Sequence, residues 1–158
     1  MCYFYTLIFM MYRNSFTAFF IFILYIALRP LPAMAQESIN DNKQIYFIED
    51  DWNAALKQAS AQQKYIFVDA YATWCGPCKM LKATTFKNKK AAEFYNKNFI
   101  NIAIDMEKGM GPQLAAQWRM QAYPTLIIFN PKGEPVLGTV GYIKAPDLIR
   151  FGEAALKK

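Results

Sequence analysis

The chain has no histidine, and only three of its 158 residues are cysteine: Cys2, Cys75 and Cys78. A structural zinc site takes four ligands, mostly cysteine and histidine. With no histidine and no second cysteine pair, nothing is there to complete one around Cys75 and Cys78. A structural staple is excluded on other grounds. A bridge between positions three apart closes almost no loop, so it removes little entropy from the unfolded chain. What remains is a pair that is there to be oxidised and reduced. The sequence also lacks internal repeats, low-complexity segments and any nucleic-acid-binding motif. Its net charge of +6 is scattered, apart from Lys87-Asn88-Lys89-Lys90, which reads as a solvated loop or helix start.

Acidic residues are missing from residues 1–35, where Arg13 and Arg29 are the only charges. Between them runs an apolar stretch, Ser15 to Leu28. Arg29-Pro30-Leu31-Pro32 breaks it, and Ala33-Met34-Ala35 has the small-residue pattern of a signal-peptide cleavage site. The expectation is a signal peptide over 1–35, a flexible lead-in over 36–44 and one domain over 45–158. The domain would be exported, to the bacterial periplasm. The run is short against the roughly 20 residues of a membrane span. Residues 2–11 are also largely apolar, so the alternative is an uncleaved anchor that holds the domain on the periplasmic face. No cysteine follows the cleavage site, and a lipid-modified N-terminus is not indicated.

The centre of the chain is Trp74-Cys75-Gly76-Pro77-Cys78-Lys79, preceded by Tyr65-Ile66-Phe67-Val68-Asp69-Ala70-Tyr71. The second stretch is nearly continuous in apolar, strand-forming residues, as a central strand buried on both faces should be. Asp69 interrupts it, and a carboxylate there is costly unless paired, hydrated or protonated. A strand that ends where a helix begins places the first sulfur at the helix N-terminus, where free N–H groups and the helix dipole favour a thiolate.

Around this centre the patterning predicts a strand over 45–48 and a helix from Asp50 or Asp51 to about Gln62, with Trp52 as a core anchor. The cysteine helix is expected to weaken at Thr84-Thr85. A helix over 89–98, a strand over 99–105 and a helix from Pro112 to about Arg119 follow. Strands over 125–130 and 134–140, joined by Pro131-Lys132-Gly133, read as a hairpin. A final helix over 145–156 would turn Leu148, Ile149, Phe151 and Leu156 inward. The order predicts an α/β fold, a central mixed sheet with helices on both faces.

The stretch from Ile45 to Leu156 resembles the thioredoxin-fold family. Trp74 to Lys79 matches its active-site motif. Asp69 falls where the family holds a buried acid beneath the cysteines, Tyr123-Pro124-Thr125 where it has a cis-proline loop, and Gly141 where a glycine lines the substrate groove. Asp69 to Cys75, with Thr84-Thr85-Phe86, is similar to small exported thioredoxin-like proteins and to the C-terminal domain of the membrane disulfide reductase DsbD. Two positions differ. Asn101 stands where thioredoxins usually have a lysine near the buried acid, and Lys82 where the DsbD domain carries an acid.

The resemblance implies a thiol–disulfide oxidoreductase. Cys75 would be the exposed nucleophile that forms a mixed disulfide, and Cys78 the residue that resolves it, leaving Cys75–Cys78 oxidised. Asp69 would move the proton of Cys78. Trp74, Gly76, Pro77, Tyr123, Pro124, Thr125 and Gly141 would contact substrate, with Lys79 as a solvated neighbour. No cofactor and no metal are implied. The partners implied are disulfide-containing proteins, apocytochrome c among them, and a membrane electron donor of the DsbD type; the protein would act as a monomer. Strong oxidants of this fold place a histidine between the cysteines. Gly76-Pro77 in a chain without histidine favours a reductant. The alternatives are a net oxidant, or a binding module whose cysteines are dispensable.

Overall fold

The computed structural model describes residues 43–158; the expected signal peptide and most of the lead-in lie outside them. Five strands form one sheet in the order β1-β3-β2-β4-β5. They are β1 (Ile48–Glu49), β2 (Tyr65–Tyr71), β3 (Phe99–Asp105), β4 (Thr125–Phe129) and β5 (Pro135–Val140). β1 and β2 both run parallel to β3, β4 is antiparallel to β2, and β5 is antiparallel to β4. The mixed sheet with helices on both faces is the expected architecture.

β2 and β3 explain why the interior is so apolar. Each has hydrogen-bonded neighbours on both edges and helices over both faces. Ile66, Val68 and Ala70 pack with Ile102 and Ile104 on one face. That face is covered by α1 (Trp52–Gln62) and α4 (Gly111–Gln117). Trp52 is a core anchor, as expected, and meets Trp118 and Phe129 edge-on at 5.1 and 5.0 Å between ring centroids. Phe67, Leu126 and Ile128 lie on the opposite face. It is covered by α2 (Gly76–Ala83), a 3-10 turn (Thr85–Lys87), α3 (Lys89–Asn98) and α5 (Ala145–Ala155).

The helices begin where their caps lie. The Asp51 side chain accepts the Ala54 N–H at 2.9 Å at the start of α1, and Asn88 accepts the Ala91 N–H at 3.2 Å at the start of α3. α3 and α5 cross so closely that a Cβ on Gly152 would come within 2.6 Å of Phe94 and 2.9 Å of the Tyr95 hydroxyl. That hydroxyl donates to the Leu148 carbonyl at 2.7 Å and joins the two helices through a buried hydrogen bond.

Three boundaries differ from the sequence reading, each for a visible reason. Ile45 and Tyr46 do not pair with the sheet, because their N–H groups go to the Phe86 carbonyl and the Asn96 side chain. Pairing begins at Ile48, opposite Ile102. Asn130 and Glu134 belong to the turn, since the Asn130 side-chain oxygen Oδ1 accepts the N–H groups of Lys132 and Glu134. In α5 Leu148, Gly152 and Ala155 are buried and Ile149 and Phe151 pack half-buried against the same core, as expected, while Leu156, beyond the helix end, is 40% exposed.

Candidate active site

Cys75 caps the N-terminus of α2. Its backbone is still extended (φ −69°, ψ 111°), and its sulfur accepts the Cys78 N–H at 3.2 Å. Pro77 occupies the first turn, where its missing N–H leaves no helical bond unmade. Cys78 follows one turn later, with its Cα 5.3 Å from that of Cys75, and the two sulfurs are joined as a disulfide. The helix N-terminus therefore faces the sulfur that would carry negative charge once the bridge opens.

Cys75 was expected to be the exposed thiol. In this oxidised form it is 3% exposed, close to the 1% of Cys78. Ala72, Tyr71 and Tyr123 pack against the pair and cover it. The exposed group is its neighbour: Trp74 is 66% exposed. Its indole N–H donates to both carboxylate oxygens of Glu107, each at 2.9 Å, and its ring stands edge-on to Tyr123 at 6.0 Å. Nothing in the sequence singled out Glu107. It sits 33 residues from Trp74, and only the register of β2 on β3 brings the two loops together.

Across the cysteines, the Tyr123–Pro124 peptide is cis. The Pro124 carbonyl accepts the Gly141 N–H at 2.8 Å, and the Thr125 hydroxyl donates to the Ala122 carbonyl at 2.7 Å. Gly141 has φ +95°, a conformation that side chains rarely adopt, which accounts for glycine there. The loops bearing Trp74, Tyr123 and Pro124 thus adjoin the disulfide. Gly76 is exposed, and a Cβ on it would meet nothing, so packing does not require glycine at this position.

Two threonines tie the far end of α2 to the loop after Gly141. The Thr85 hydroxyl donates to the Ile143 carbonyl at 2.7 Å. The Thr84 hydroxyl donates to the Met80 carbonyl and lies 3.3 Å from the Tyr142 hydroxyl.

Asp69 lies in β2 on the face covered by α2, between Ala103 and Leu126 of the flanking strands. It is 0% exposed, and neither carboxylate oxygen has a hydrogen-bond partner. Burial raises its pKa to about 7; Lys82 acts to lower it and Glu49 to raise it. Such a group changes its protonation near neutral pH and is able to accept or return a proton there. Asn101 is a strand neighbour on the same face, opposite Phe67. Its amide nitrogen donates to Asn96 at 3.2 Å. The nearby cation comes instead from α2: the Lys82 ammonium sits 3.4 Å from the centroid of the Tyr71 ring.

Fold and site together define a thioredoxin-like oxidoreductase. Residues 52–156 match the family described as the thioredoxin-like domain, and the chain belongs to that family. A solution structure of a proposed disulphide-isomerase from Bacteroides thetaiotaomicron superimposes with a TM-score of 0.66 at 40% identity, covering 73% of this chain and 96% of that one. A thioredoxin-like protein of Synechocystis is 34% identical over 87 residues, 55% of this chain and 77% of that protein. The thioredoxin of Staphylococcus aureus is 39% identical over 75 residues, 48% of this chain, and the match spans 66% of its own length.

Proposed function

We propose that the protein is an exported reductant of protein disulfides. The observation that carries this reading is the Cys75–Cys78 bridge at the N-terminus of α2, with a buried, unpartnered carboxylate on the sheet face beneath that helix. In the reduced protein the Cys75 thiolate attacks a substrate disulfide. A bond forms between Cys75 and one substrate sulfur, and the other sulfur leaves as a thiolate and takes a proton from water. Cys78 then gives its proton to the Asp69 carboxylate and attacks the Cys75 sulfur. The bond to substrate breaks, the second substrate thiolate leaves, and two electrons have passed to the substrate. The form described here is the oxidised product of that cycle.

Trp74, Tyr123 and the exposed Gly76-Pro77 turn supply apolar surface for the substrate chain, and the Pro124 loop supplies backbone groups that an extended segment pairs with. No histidine stands between the cysteines to hold Cys75 as a thiolate and stabilise the reduced state. Each 1.4 kcal/mol of such stabilisation is worth about 30 mV, so the dithiol is biased towards giving electrons. A domain that reduces disulfides outside the cytoplasm needs recharging, and a membrane donor of the DsbD type fits the signal-like residues 1–35. An uncleaved anchor would place the same domain on the same side.

Insulin reduction in the presence of dithiothreitol tests the activity. The expected result is turbidity well ahead of the uncatalysed rate, abolished by Cys75→Ser. A wild-type rate no faster than that of the variant refutes it. Equilibration against glutathione tests the direction, and a potential near that of the strongly oxidising members of this fold would overturn the assignment as a reductant.

A further inference from the structure

The parallel register places three residues in one row across three strands. Ala103 of β3 is opposite Glu49 of β1 on one side and opposite Asp69 of β2 on the other. Residues in register project to the same face of a sheet. At the usual spacing of about 4.8 Å per strand, the Glu49 and Asp69 backbones are about 10 Å apart. Only the methyl group of Ala103 stands between them on that face.

Above this row lies a cavity of about 540 Å³, whose lining includes Glu49, Lys79, Lys82, Ala83, Lys87 and Ala103. Asp69 is not part of its wall, but its cross-strand partner Ala103 is. Both Asp69 oxygens are buried without a partner, an arrangement that buried polar groups rarely tolerate unless they have a role in proton or ligand exchange. Lys82 reaches the row from α2. Its ammonium lies over the ring of Tyr71, two residues along β2 from Asp69 and on the same face.

We propose that Glu49 and Lys82 are the positioning residues for the proton of Asp69, which exchanges with solvent across Ala103 through the cavity that these side chains line. The inference rests on the redox reading in one respect: that proton is the one Cys78 releases on resolving the mixed disulfide. The Asp69 carboxyl then returns it through the cavity, past the Glu49 carboxylate at the rim, and no electrons move in this step. The two flanking charges act in opposite senses, since Lys82 favours the Asp69 carboxylate and Glu49 favours the acid.

Lys79 on α2 and Lys87 on the 3-10 turn line the cavity wall. Asp50 adjoins Glu49, and its carboxylate accepts the Asp105 N–H. Asp105, at the end of β3, is paired with Lys108 at 2.9 Å. The Tyr71 hydroxyl is held in its neutral form, its pKa pushed up to about 12, first by burial and then by the surrounding carboxylates. β4 places only Leu126 opposite Asp69, and the sulfurs of α2 are joined in the disulfide. On the packed helices beyond, Tyr95 is committed to the Leu148 carbonyl.

The test is a carbon-13 titration of the Asp69 carboxyl in the oxidised protein, which does not depend on catalysis. Glu49→Gln is expected to move the midpoint down and Lys82→Met to move it up, each by on the order of half a pH unit for partly solvated charges. The double variant should return towards wild type, and Lys82→Arg should leave the midpoint in place. Midpoints that stay fixed, or that move the same way in both single variants, overturn the proposal. The pH profile of insulin reduction should shift in parallel with the titration. If wild type reduces no insulin while the titrations move as stated, the reductase reading fails and the electrostatic assignment stands; if insulin is reduced and the titrations do not move, the reverse holds.

Discussion

Replacing Asp69 by asparagine removes a buried ionisable group while nearly keeping its shape, so the effect on stability should depend on pH in a defined way. The carboxyl has a pKa of about 7 in the folded protein against an ordinary value of 3.8. Below about pH 4 it is protonated whether the chain is folded or not, and the native state bears no cost. Between there and pH 7 the unfolded chain has lost the proton and the folded protein still binds it, so stability falls as pH rises. Above pH 7 the folded state holds an unpartnered carboxylate and the loss is complete. A displacement of about 3 units corresponds to on the order of 4 kcal/mol at about 1.4 kcal/mol per unit, a large share of the 5–15 kcal/mol typical of a domain. Asp69→Asn does not titrate. Its stability relative to wild type should rise by about that amount between pH 4 and pH 8, whatever constant offset the amide brings. Urea denaturation of both oxidised proteins across that range, with fluorescence as the readout, measures it. A difference that does not change with pH would refute the assignment of a buried, unpaired carboxylate to this position.

Gly152→Ala forces a methyl against Phe94 and Tyr95, and at such overpacked sites a loss of about 1–3 kcal/mol is expected in urea denaturation. Tyr95→Phe removes the buried hydrogen bond to the Leu148 carbonyl, which keeps its place in the helical ladder, and should cost about 0.5–1.5 kcal/mol by the same measurement. Glu107→Ala frees the exposed Trp74 indole. Stability should stay within about 0.5 kcal/mol, while Trp74 emission changes and insulin reduction slows through a weaker KM; unchanged fluorescence would show that the carboxylate does not hold the ring.

The elements that carry the chemistry were legible because their signals are local. A continuous apolar run ending at two cysteines three apart marked β2 and the start of α2, and proline within the first turn confirmed where the helix begins. Asp51 announced its helix in the same way, whereas the Asn88 cap emerged only in the structure. What was hidden depends on register. Residues 99–105 alternate in the sequence, yet every one of them is buried, Asn101 and Asp105 included, because helices cover both faces. Trp74 and Glu107 meet only once β2 and β3 are aligned, and the same alignment sets Glu49 and Asp69 on either side of Ala103. The shift of the first strand from 45–48 to Ile48–Glu49 follows from donors spent on the Phe86 carbonyl and Asn96, partners distant in sequence. The burial of Cys75 came from the aromatic packing of Tyr71 and Tyr123, which no spacing rule encodes.

The ties made by Thr84 and Thr85 have a consequence for how such a site changes over time. They join the rear of the cysteine helix to the chain just beyond Gly141, so the gauge between two sides of the proposed substrate surface is set from behind. Side chains on the front are then free to vary with the shape of each client while the opening keeps its width. A substitution at either threonine would act differently, as a change of bore, and would alter how every client fits at once.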